Sequence, residues 1–327
     1  MKHLKFNTSL FLILTFLCFT ATACQNNDTS DNGISIFKSH RDGKKGKKIT
    51  LNKNDKYITQ VFPNVNYEEL SVEYGFDVVM SDTVEDITVK LNENLVDYFN
   101  LKLNDKERAL EIGLHDCKSI IMNDQAKCGN IILPYNRELN SVELNGTSTF
   151  KSDKEITNNI FAIELTGSTT FTAPNISAEN VEIEIEGTSK CTSNIDGQNI
   201  DIELSGASNL TGNISASIVD IELSGTSEVS ATVSASKTDV ECSGASYLNI
   251  SGKTESMKAS ISGTSTLEGC QMIVSDLLGN LTGSSKANVH CATSIEMKVS
   301  GTSTLTYSGN PKVNKIHKDT TAKVIKR

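Results

Sequence analysis

Residues 219–229 read VDIELSGTSEV, and nearly the same eleven residues stand one period earlier and one period later in the chain. The earlier copy is IDIELSGASNL at 200–210, and the later copy is TDVECSGASYL at 238–248. In each copy, apolar and polar residues alternate over six positions and then meet a Gly that is followed two residues later by a Ser. This alternation with period two predicts a β-strand that buries one face.

The Gly of this pattern recurs nine times, at spacings of 18 to 21 residues. Its positions are Gly146, Gly167, Gly187, Gly206, Gly225, Gly244, Gly263, Gly283 and Gly301. A fixed period near 19 residues indicates a solenoid. Leucine-rich repeats have a similar length, but they need several Leu and a fixed Asn or Cys per repeat, which this chain lacks. We therefore predict an all-β protein, a right-handed parallel β-helix with coils of about 19–20 residues.

The residue two positions after each Gly is predicted to point inward and to form a ladder of hydroxyls. Five members of this ladder are Ser189, Ser208, Ser227, Ser246 and Ser265. An isolated buried hydroxyl costs about 1–3 kcal/mol, but stacked hydroxyls can bond one another or a corner carbonyl. The Gly suits a bend in which φ is positive or a side chain would clash. A catalytic role for the Ser is disfavoured because a nucleophilic Ser needs a base, and His290 is the only His among the repeats.

With these repeats, the chain resembles the bacterial family of auto-transporter adhesins with a head GIN domain. In most of the nine copies the repeating unit is an aliphatic residue, a small polar residue, Gly, a small residue and Ser, and Thr169 replaces the Ser in the second copy. Upstream, the stretches GFDVV at 75–79 and ALEI at 109–112 also match the lead-in of that family. The resemblance covers about residues 57–309. It implies a secreted β-helical domain of the kind found in Bacteroides-type lipoproteins, and it offers no catalytic residues.

The N-terminus has the pattern of a lipoprotein signal peptide over residues 1–23. A ten-residue apolar run at 10–19, too short to span a bilayer as a stable helix, precedes the small residues Ala21, Thr22 and Ala23. Cys24 would then carry lipid and anchor the protein to the outer membrane, at the cell surface or on the periplasmic face. The alternative is an ordinary cleaved signal in which Cys24 is incidental.

The rest of the chain divides by composition. Residues 24–56 are polar and basic and predict a flexible tether. Residues 57–309 form the predicted β-helix domain, in which 57–138 are either irregular first coils or a small cap and 139–309 are the nine repeats. Residues 310–327 are a basic tail, expected to help cover the end of the solenoid.

Two columns of acidic residues are predicted on the outer face, three and five positions before the Gly. Their members are Glu184, Glu203, Glu222 and Glu241, and Asp201, Asp220 and Asp239. Like charges at this spacing repel by roughly 1 kcal/mol per pair in water, which Ca²⁺ or a cationic partner could offset. The alternative is a solvated face that keeps the sheet from pairing with others. The sequence does not say whether a metal binds.

The cysteines outside the N-terminus have different expected roles. Cys117 and Cys128 are the best candidates for a disulfide in an exported protein, because they flank one loop. Cys270 and Cys291 stand at nearly equivalent places in successive coils, where they could pair or stack as thiols. Among the aromatic residues of the repeats, Phe161 and Tyr247 are the ones expected to face outward.

These features favour a non-enzymatic envelope protein with an adhesion-like binding surface for a glycan or an extracellular protein. The net charge of −9 argues against a nucleic-acid partner. One alternative is a polysaccharide-active β-helix enzyme, although residues 138–311 contain no Arg and the carboxylates form a repeated stripe. Another alternative is a periplasm-facing structural lipoprotein without a ligand. No cofactor is expected, apart from the Ca²⁺ considered above.

Overall fold

The computed structural model describes residues 34–38, for which only the backbone is described, and residues 46–104, 106–123 and 126–327. Within these ranges it contains 24 strands and one short 3-10 helix, Glu93–Leu95. The strands before the first repeat are β1 (Ile34–Lys38), β2 (Lys47–Leu51), β3 (Tyr57–Phe62), β4 (Glu69–Val72), β5 (Phe76–Ser81), β6 (Ile87–Asn92), β7 (Phe99–Asn104), β8 (Ala109–Leu114), β9 (Cys117–Met122) and β10 (Gly129–Pro134).

The repeats and the tail supply the remaining strands. They are β11 (Ser141–Gly146), β12 (Thr149–Ser152), β13 (Ile156–Gly167), β14 (Thr170–Ile185), β15 (Lys190–Asp196), β16 (Asn199–Leu204), β17 (Asn209–Leu223), β18 (Glu228–Cys242), β19 (Tyr247–Ile261), β20 (Thr266–Leu281), β21 (Lys286–Val299), β22 (Thr304–Ser308), β23 (Lys312–Lys318) and β24 (Lys323–Lys326). Together the strands form a parallel β-solenoid of about ten turns, which confirms the predicted solenoid. The right-handed sense of the coil stays a prediction.

The register of the repeats follows the sequence period. β17 pairs in parallel with β18 from Asn209 opposite Glu228 to Leu223 opposite Cys242. β18 pairs with β19 in the same way, from Glu228 opposite Tyr247 to Cys242 opposite Ile261. Each residue therefore lies beside its equivalent in the next coil, and side chains of one kind stack in columns.

Each coil turns twice, and the burial pattern shows where. In the coil from Glu228 to Ser246, the buried positions alternate up to Val233, stop at residues 235–237, and resume at Thr238. We call residues 235–237 and their equivalents the variable turn. Residues 243–246, with the pattern Ser-Gly-Ala-Ser, and their equivalents form the repeat corner. The strand segment after the variable turn carries the acidic columns on its outer side.

A single apolar core runs through the coils, built from the inward residues of both strand segments. The Phe150 and Phe171 rings stack in it, with their centroids 5.3 Å apart. Phe161, expected to face outward, is instead completely buried, and its centroid lies 6.3 Å from that of Phe171. That expectation was wrong because Phe161 stands six residues before Gly167, so one more step of the same alternation points it inward.

The coils before the first repeat are less regular than the repeats. β5 stacks in parallel on β10 and β12, and β4 stacks on β8 and β11. The antiparallel pairs β3–β6, β10–β6 and β7–β8 interrupt this parallel stack. Residues 57–134 thus combine solenoid strands with antiparallel pairing.

The repeat corner begins one coil earlier than the Gly-Ser pattern suggests. The amide of Thr147 donates to the carbonyl of Tyr74 at 2.7 Å, as the amide of Ser168 donates to Gly146 at 2.8 Å. Tyr74 has a φ of 74°, the left-handed conformation that Gly has at later corners. A Tyr therefore occupies the first corner, and the sequence gives no sign of it.

The basic tail adds strands to the far end of the solenoid. β23 pairs in parallel with β21, and β24 pairs in parallel with β22. Val313 and Ile325 on these strands are 47% and 45% exposed. The tail thus continues the stack and leaves apolar side chains at its last coil.

Candidate functional site

The repeat corner is held by backbone geometry that only Gly adopts easily. Gly225 has a φ of 68°, and a Cβ placed there would lie 2.5 Å from the carbonyl oxygen of Gly206. The amide of Thr226 donates to the same carbonyl at 2.7 Å. Successive corners are therefore hydrogen-bonded at a place where their two backbones are too close together for a side chain. This explains why the Gly recurs.

The predicted hydroxyl ladder lies inside these corners. Ser189, Ser208, Ser227, Ser246 and Ser265 are all at most 1% exposed. Some of the hydroxyls bond between coils, as in Thr169 Oγ1 to Ser189 Oγ at 3.0 Å and Ser246 Oγ to Ser265 Oγ at 3.2 Å. Others donate to a carbonyl of their own corner, as Ser227 Oγ does to Ser224 at 2.8 Å. These serines have a structural position inside the coil and do not line an open site.

The acidic residues stack on the outer face in the predicted order. Glu184, Glu203, Glu222 and Glu241 lie opposite one another from coil to coil, and so do Asp201, Asp220 and Asp239. Partial burial, followed by repulsion from neighbouring carboxylates, raises the pKa of Glu184, Asp201, Asp220 and Glu222. The same causes raise the pKa of Glu164, which extends the Glu column, to about 7.

Each column contains one carboxylate per coil, so the carboxylates form two lines along the solenoid and do not surround a single position. Among the described residues, no group of three or more His, Cys, Asp or Glu side chains is arranged to hold a metal ion. Lys237 compensates part of the charge, with Nζ 2.7 Å from Asp239 Oδ2. Cation binding by the columns stays a prediction, tested by whether Ca²⁺ raises the melting temperature and whether Glu203→Gln with Glu222→Gln abolishes the rise.

The six cysteines among the described residues are free thiols in this structure. Cys117 is half-buried and Cys128 is buried, and they are close enough that charge on Cys117 helps, after burial, to raise the pKa of Cys128 to about 12. Their disulfide stays a prediction. Cys270 and Cys291 do not stand at equivalent places, because the register shifts at a bulge in β20 and sets Cys291 opposite Val274.

One Ser–His contact stands out among the last coils. The Nδ1 atom of His290 lies 3.0 Å from Ser308 Oγ, and both side chains are partly buried. A nucleophilic Ser normally needs a base that a third group orients. Within the described part of the chain, no hydrogen bond or ion pair joins the other ring nitrogen of His290 to a carboxylate. The pair therefore lacks the third member of a triad.

A shallow groove of about 400 Å³ lies on the outer face of β17, β18 and β19, on the strand segment that follows the repeat corner. Hydroxyl and amide side chains line it: Thr211, Asn213, Ser230, Thr232, Asn249 and Ser251. Gly212 and Ala231 form the floor, and Gln271 stands at one end. None of these nine lining residues has a titratable side chain.

Sequence reasoning missed this groove. The available signal was the pair of outward columns Thr211, Ser230, Asn249 and Asn213, Thr232, Ser251, which carry neutral polar residues where the other strand segment carries carboxylates. The concavity could not be read from that pattern, because the order of the side chains along each strand does not give the shape of the face that they share.

No helix among the described residues is long and apolar enough to cross a membrane. The predicted signal peptide and Cys24 lie outside the described residues.

The chain matches the family described as "Putative auto-transporter adhesin, head GIN domain" over residues 66–236 and 198–311. The chain belongs to this head GIN family. The match spans the regular repeats and begins just before β4, so the family includes the irregular coils as well as the Gly-Ser pattern.

Several solved structures are similar to this head GIN chain. A putative adhesin from Parabacteroides distasonis ATCC 8503 shares 17% identity, covers 85% of this chain and 100% of its own, and has a TM-score of 0.47. A putative adhesin from Parabacteroides merdae ATCC 43184 shares 15%, covers 85% and 99%, and has a TM-score of 0.41. A putative lipid binding protein from Parabacteroides distasonis ATCC 8503 shares 15%, covers 85% and 100%, and also has a TM-score of 0.41. The comparison with curated proteins found no match.

Proposed function

We propose that this head GIN protein is a non-enzymatic, adhesion-like protein of the cell envelope, anchored to the outer membrane through lipid on Cys24 and exposed at the cell surface. The observation that carries the proposal is the outer groove on β17, β18 and β19. Its neutral lining can make hydrogen bonds to a partner but offers no group for proton transfer. Membership of an adhesin-like family supports the same role.

The even coils also support binding over catalysis. Strands of 14 to 16 residues follow one another from β17 to β21, with a 19-residue register between β17, β18 and β19. A face built in this way presents equivalent groups at about 4.8 Å intervals. Such a surface suits an extended partner better than a small substrate held in a deep pocket.

The test of location is protease accessibility on intact cells that produce the full chain, with an antibody against the repeats. We expect the repeat region to be removed by protease while a periplasmic control protein survives. Protection until the outer membrane is opened would overturn surface exposure and favour the periplasm-facing structural lipoprotein.

The test of anchoring uses Cys24→Ala beside the unchanged chain, with metabolic labelling by a fatty-acid analogue. The unchanged chain should incorporate label and sediment with membranes, whereas the variant should do neither. Equal labelling of both chains would contradict lipid attachment at Cys24.

The test of the binding role compares cell attachment to immobilised host matrix or glycan surfaces with and without the protein. Loss of attachment on deletion, restored by a His290→Ala, Ser308→Ala variant, supports a non-enzymatic role. Failure of this double variant to restore attachment would point to a chemical function of the one Ser–His pair.

A further inference from the structure

The outer groove on β17, β18 and β19 has a composition that sets it apart from the other outward face of the same coils. The segment after the variable turn stacks carboxylates, whereas the groove is lined by hydroxyls and amides, with Glu228 and Glu268 at its border. Hydroxyl and amide groups both donate and accept hydrogen bonds. Their natural complement is a neutral ligand whose own groups also do both, which describes the hydroxyls of a sugar.

The polar groups that line the groove differ in whether they already make hydrogen bonds within the protein. Asn213 Nδ2 donates to Asn194 Oδ1 at 2.9 Å, and Ser251 Oγ donates to Thr232 Oγ1 at 3.2 Å. The exposed amides of Asn249 and Gln271, in contrast, have no side-chain hydrogen-bond partner among the described residues. Thr211 Oγ1 and Ser230 Oγ also donate, to Asn209 Oδ1 and Glu228 Oε1. Each of the two columns thus contains bonded residues and one amide, Asn249 or Gln271, whose donors and acceptors are available.

Gly212 and Ala231 lie between the two polar columns of the groove. A Cβ at Gly212 would lie 1.7 Å from the carbonyl oxygen of Ser193, so no side chain fits there. Ala231 follows in the next coil and is 9% exposed. With these small residues beneath them, the flanking polar side chains stand above a shallow trough.

A register shift between β19 and β20 lies at one end of the groove. The register between β19 and β20 shifts between Asn249 and Ser251, so that Ser251 lies opposite Gln271. This shift puts the Gln271 amide at the end of the column that starts with Asn213. Tyr247, two residues before Asn249 on β19 and 38% exposed, stands outside the lining on the Asn249 side of the groove, opposite Glu228 of the preceding coil. An exposed aromatic ring beside hydroxyls and amides is the usual platform for the apolar face of a pyranose.

From these observations we infer that the groove is a binding site for a neutral oligosaccharide, with Asn249 and Gln271 bonding its hydroxyls and Tyr247 stacking on one ring. The inference rests on the proposed adhesion-like function and specifies its ligand class. Because the coils repeat at about 4.8 Å, a chain lying along the groove meets similar polar groups on successive coils.

The experiment measures binding of the full chain, purified in detergent, to an array of neutral glucan, mannan, galactan and xylan oligosaccharides. Polygalacturonate and heparin serve as charged counterparts. We expect at least one neutral oligosaccharide to bind. Tyr247→Ala and the double variant Asn249→Ala, Gln271→Ala should each weaken that binding at least tenfold. Asn199→Ala, which removes an exposed amide at the variable turn, should leave it unchanged.

Three outcomes would overturn the inference. Binding of a neutral oligosaccharide that survives both groove variants would place the site elsewhere. Binding restricted to the charged polysaccharides would contradict the chemistry of the lining. Absence of oligosaccharide binding, while cells still attach through the protein in the assay above, would reject the sugar ligand and leave the adhesion-like function with a protein partner.

Discussion

At residues 243–246 one coil turns through Ser-Gly-Ala-Ser, and the coils before and after it turn through Ser-Gly-Thr-Ser at 224–227 and 262–265. At the variable turn the same coil reads Ala-Ser-Lys at 235–237, whereas its neighbours read Ala-Ser-Ile at 216–218 and Thr-Glu-Ser at 254–256. The Gly at each repeat corner has positive φ, and residues 235–237 do not. The sequence of a turn is the same from coil to coil where the backbone needs a conformation that one residue type adopts easily. It varies from coil to coil where many residue types can adopt the conformation.

The largest effect that we predict is at the Gly of the repeat corner. Gly225→Ala forces a side chain into positive φ, at about 1–2 kcal/mol, and sets its Cβ against the carbonyl of Gly206. We expect a total loss of about 3 kcal/mol or more in the free energy of unfolding, measured by urea denaturation. Ser236→Gly, which adds a Gly at the variable turn, should cost no more than about 1 kcal/mol. An equal loss in the two variants would break the comparison.

The next effect concerns the hydroxyl beneath the corner. Ser227→Ala removes a buried hydroxyl that donates to Ser224 at 2.8 Å, and should cost about 1 kcal/mol. Ser236→Ala at the variable turn changes an exposed side chain and should stay within about 0.5 kcal/mol. Thermal unfolding of both variants distinguishes a buried ladder from a tolerated polar position. A Ser227→Ala variant as stable as the unchanged chain would contradict a stabilising role for its hydroxyl.

A third prediction uses the carboxylates that lead into the repeat corner. Burial and neighbouring carboxylates raise the pKa of Glu164 from its ordinary value of 4.5 to about 7. Between these two pH values the folded state binds more protons than the unfolded state, so this group makes the protein less stable as pH rises from about 4.5 through 7. Glu164→Gln should remove this contribution to the decrease in the free energy of unfolding.

The measurement is urea unfolding at pH 5 and pH 8. Because Glu164 is only half-buried and solvent screens it, we expect Glu164→Gln to add about 1 kcal/mol at pH 8 and almost nothing at pH 5. Lys237→Ala, at the variable turn, should not reproduce this pattern. If Glu164→Gln increased the free energy of unfolding equally at both pH values, the charge of Glu164 would not be the cause of the increase.

The smallest effect is expected at the ion pair of the variable turn. Lys237 is 52% exposed and Asp239 is 23% exposed, with 2.7 Å between Nζ and Oδ2. Lys237→Ala should cost at most about 0.5 kcal/mol, because exposed pairs contribute little. A loss larger than that of Ser227→Ala would mean that the variable turn depends on this pair.

The same contrast explains what could be predicted from the sequence. The Gly at each corner, the Ser inside it and the stacked carboxylates recur because each coil has the same backbone conformation at these positions. Such recurrence can be recognised in the amino-acid sequence. The residues that were missed break that repetition. Tyr74 takes a Gly conformation without being Gly, and β23 and β24 add strands without the Gly-Ser pattern.

The groove was missed for a different physical reason. Its polar columns could be seen in the sequence, but the close approach of Gly212 to the Ser193 carbonyl and the bulge in β20 before Gln271 could not. Both depend on contacts between coils at fixed distance. A one-dimensional pattern gives the order of the side chains on a face but not the curvature of that face.

The uniform register of β17, β18 and β19 also bears on how this protein could change its length over evolution. Each of these coils offers the next the same backbone partners, and Gly206, Gly225 and Gly244 bond corner to corner in the same way. Duplicating 19 residues in this region would therefore add one coil that pairs with its neighbours in the same parallel register. Each such event would lengthen the protein by about 4.8 Å, so the number of coils could change while the corners and the core stay the same.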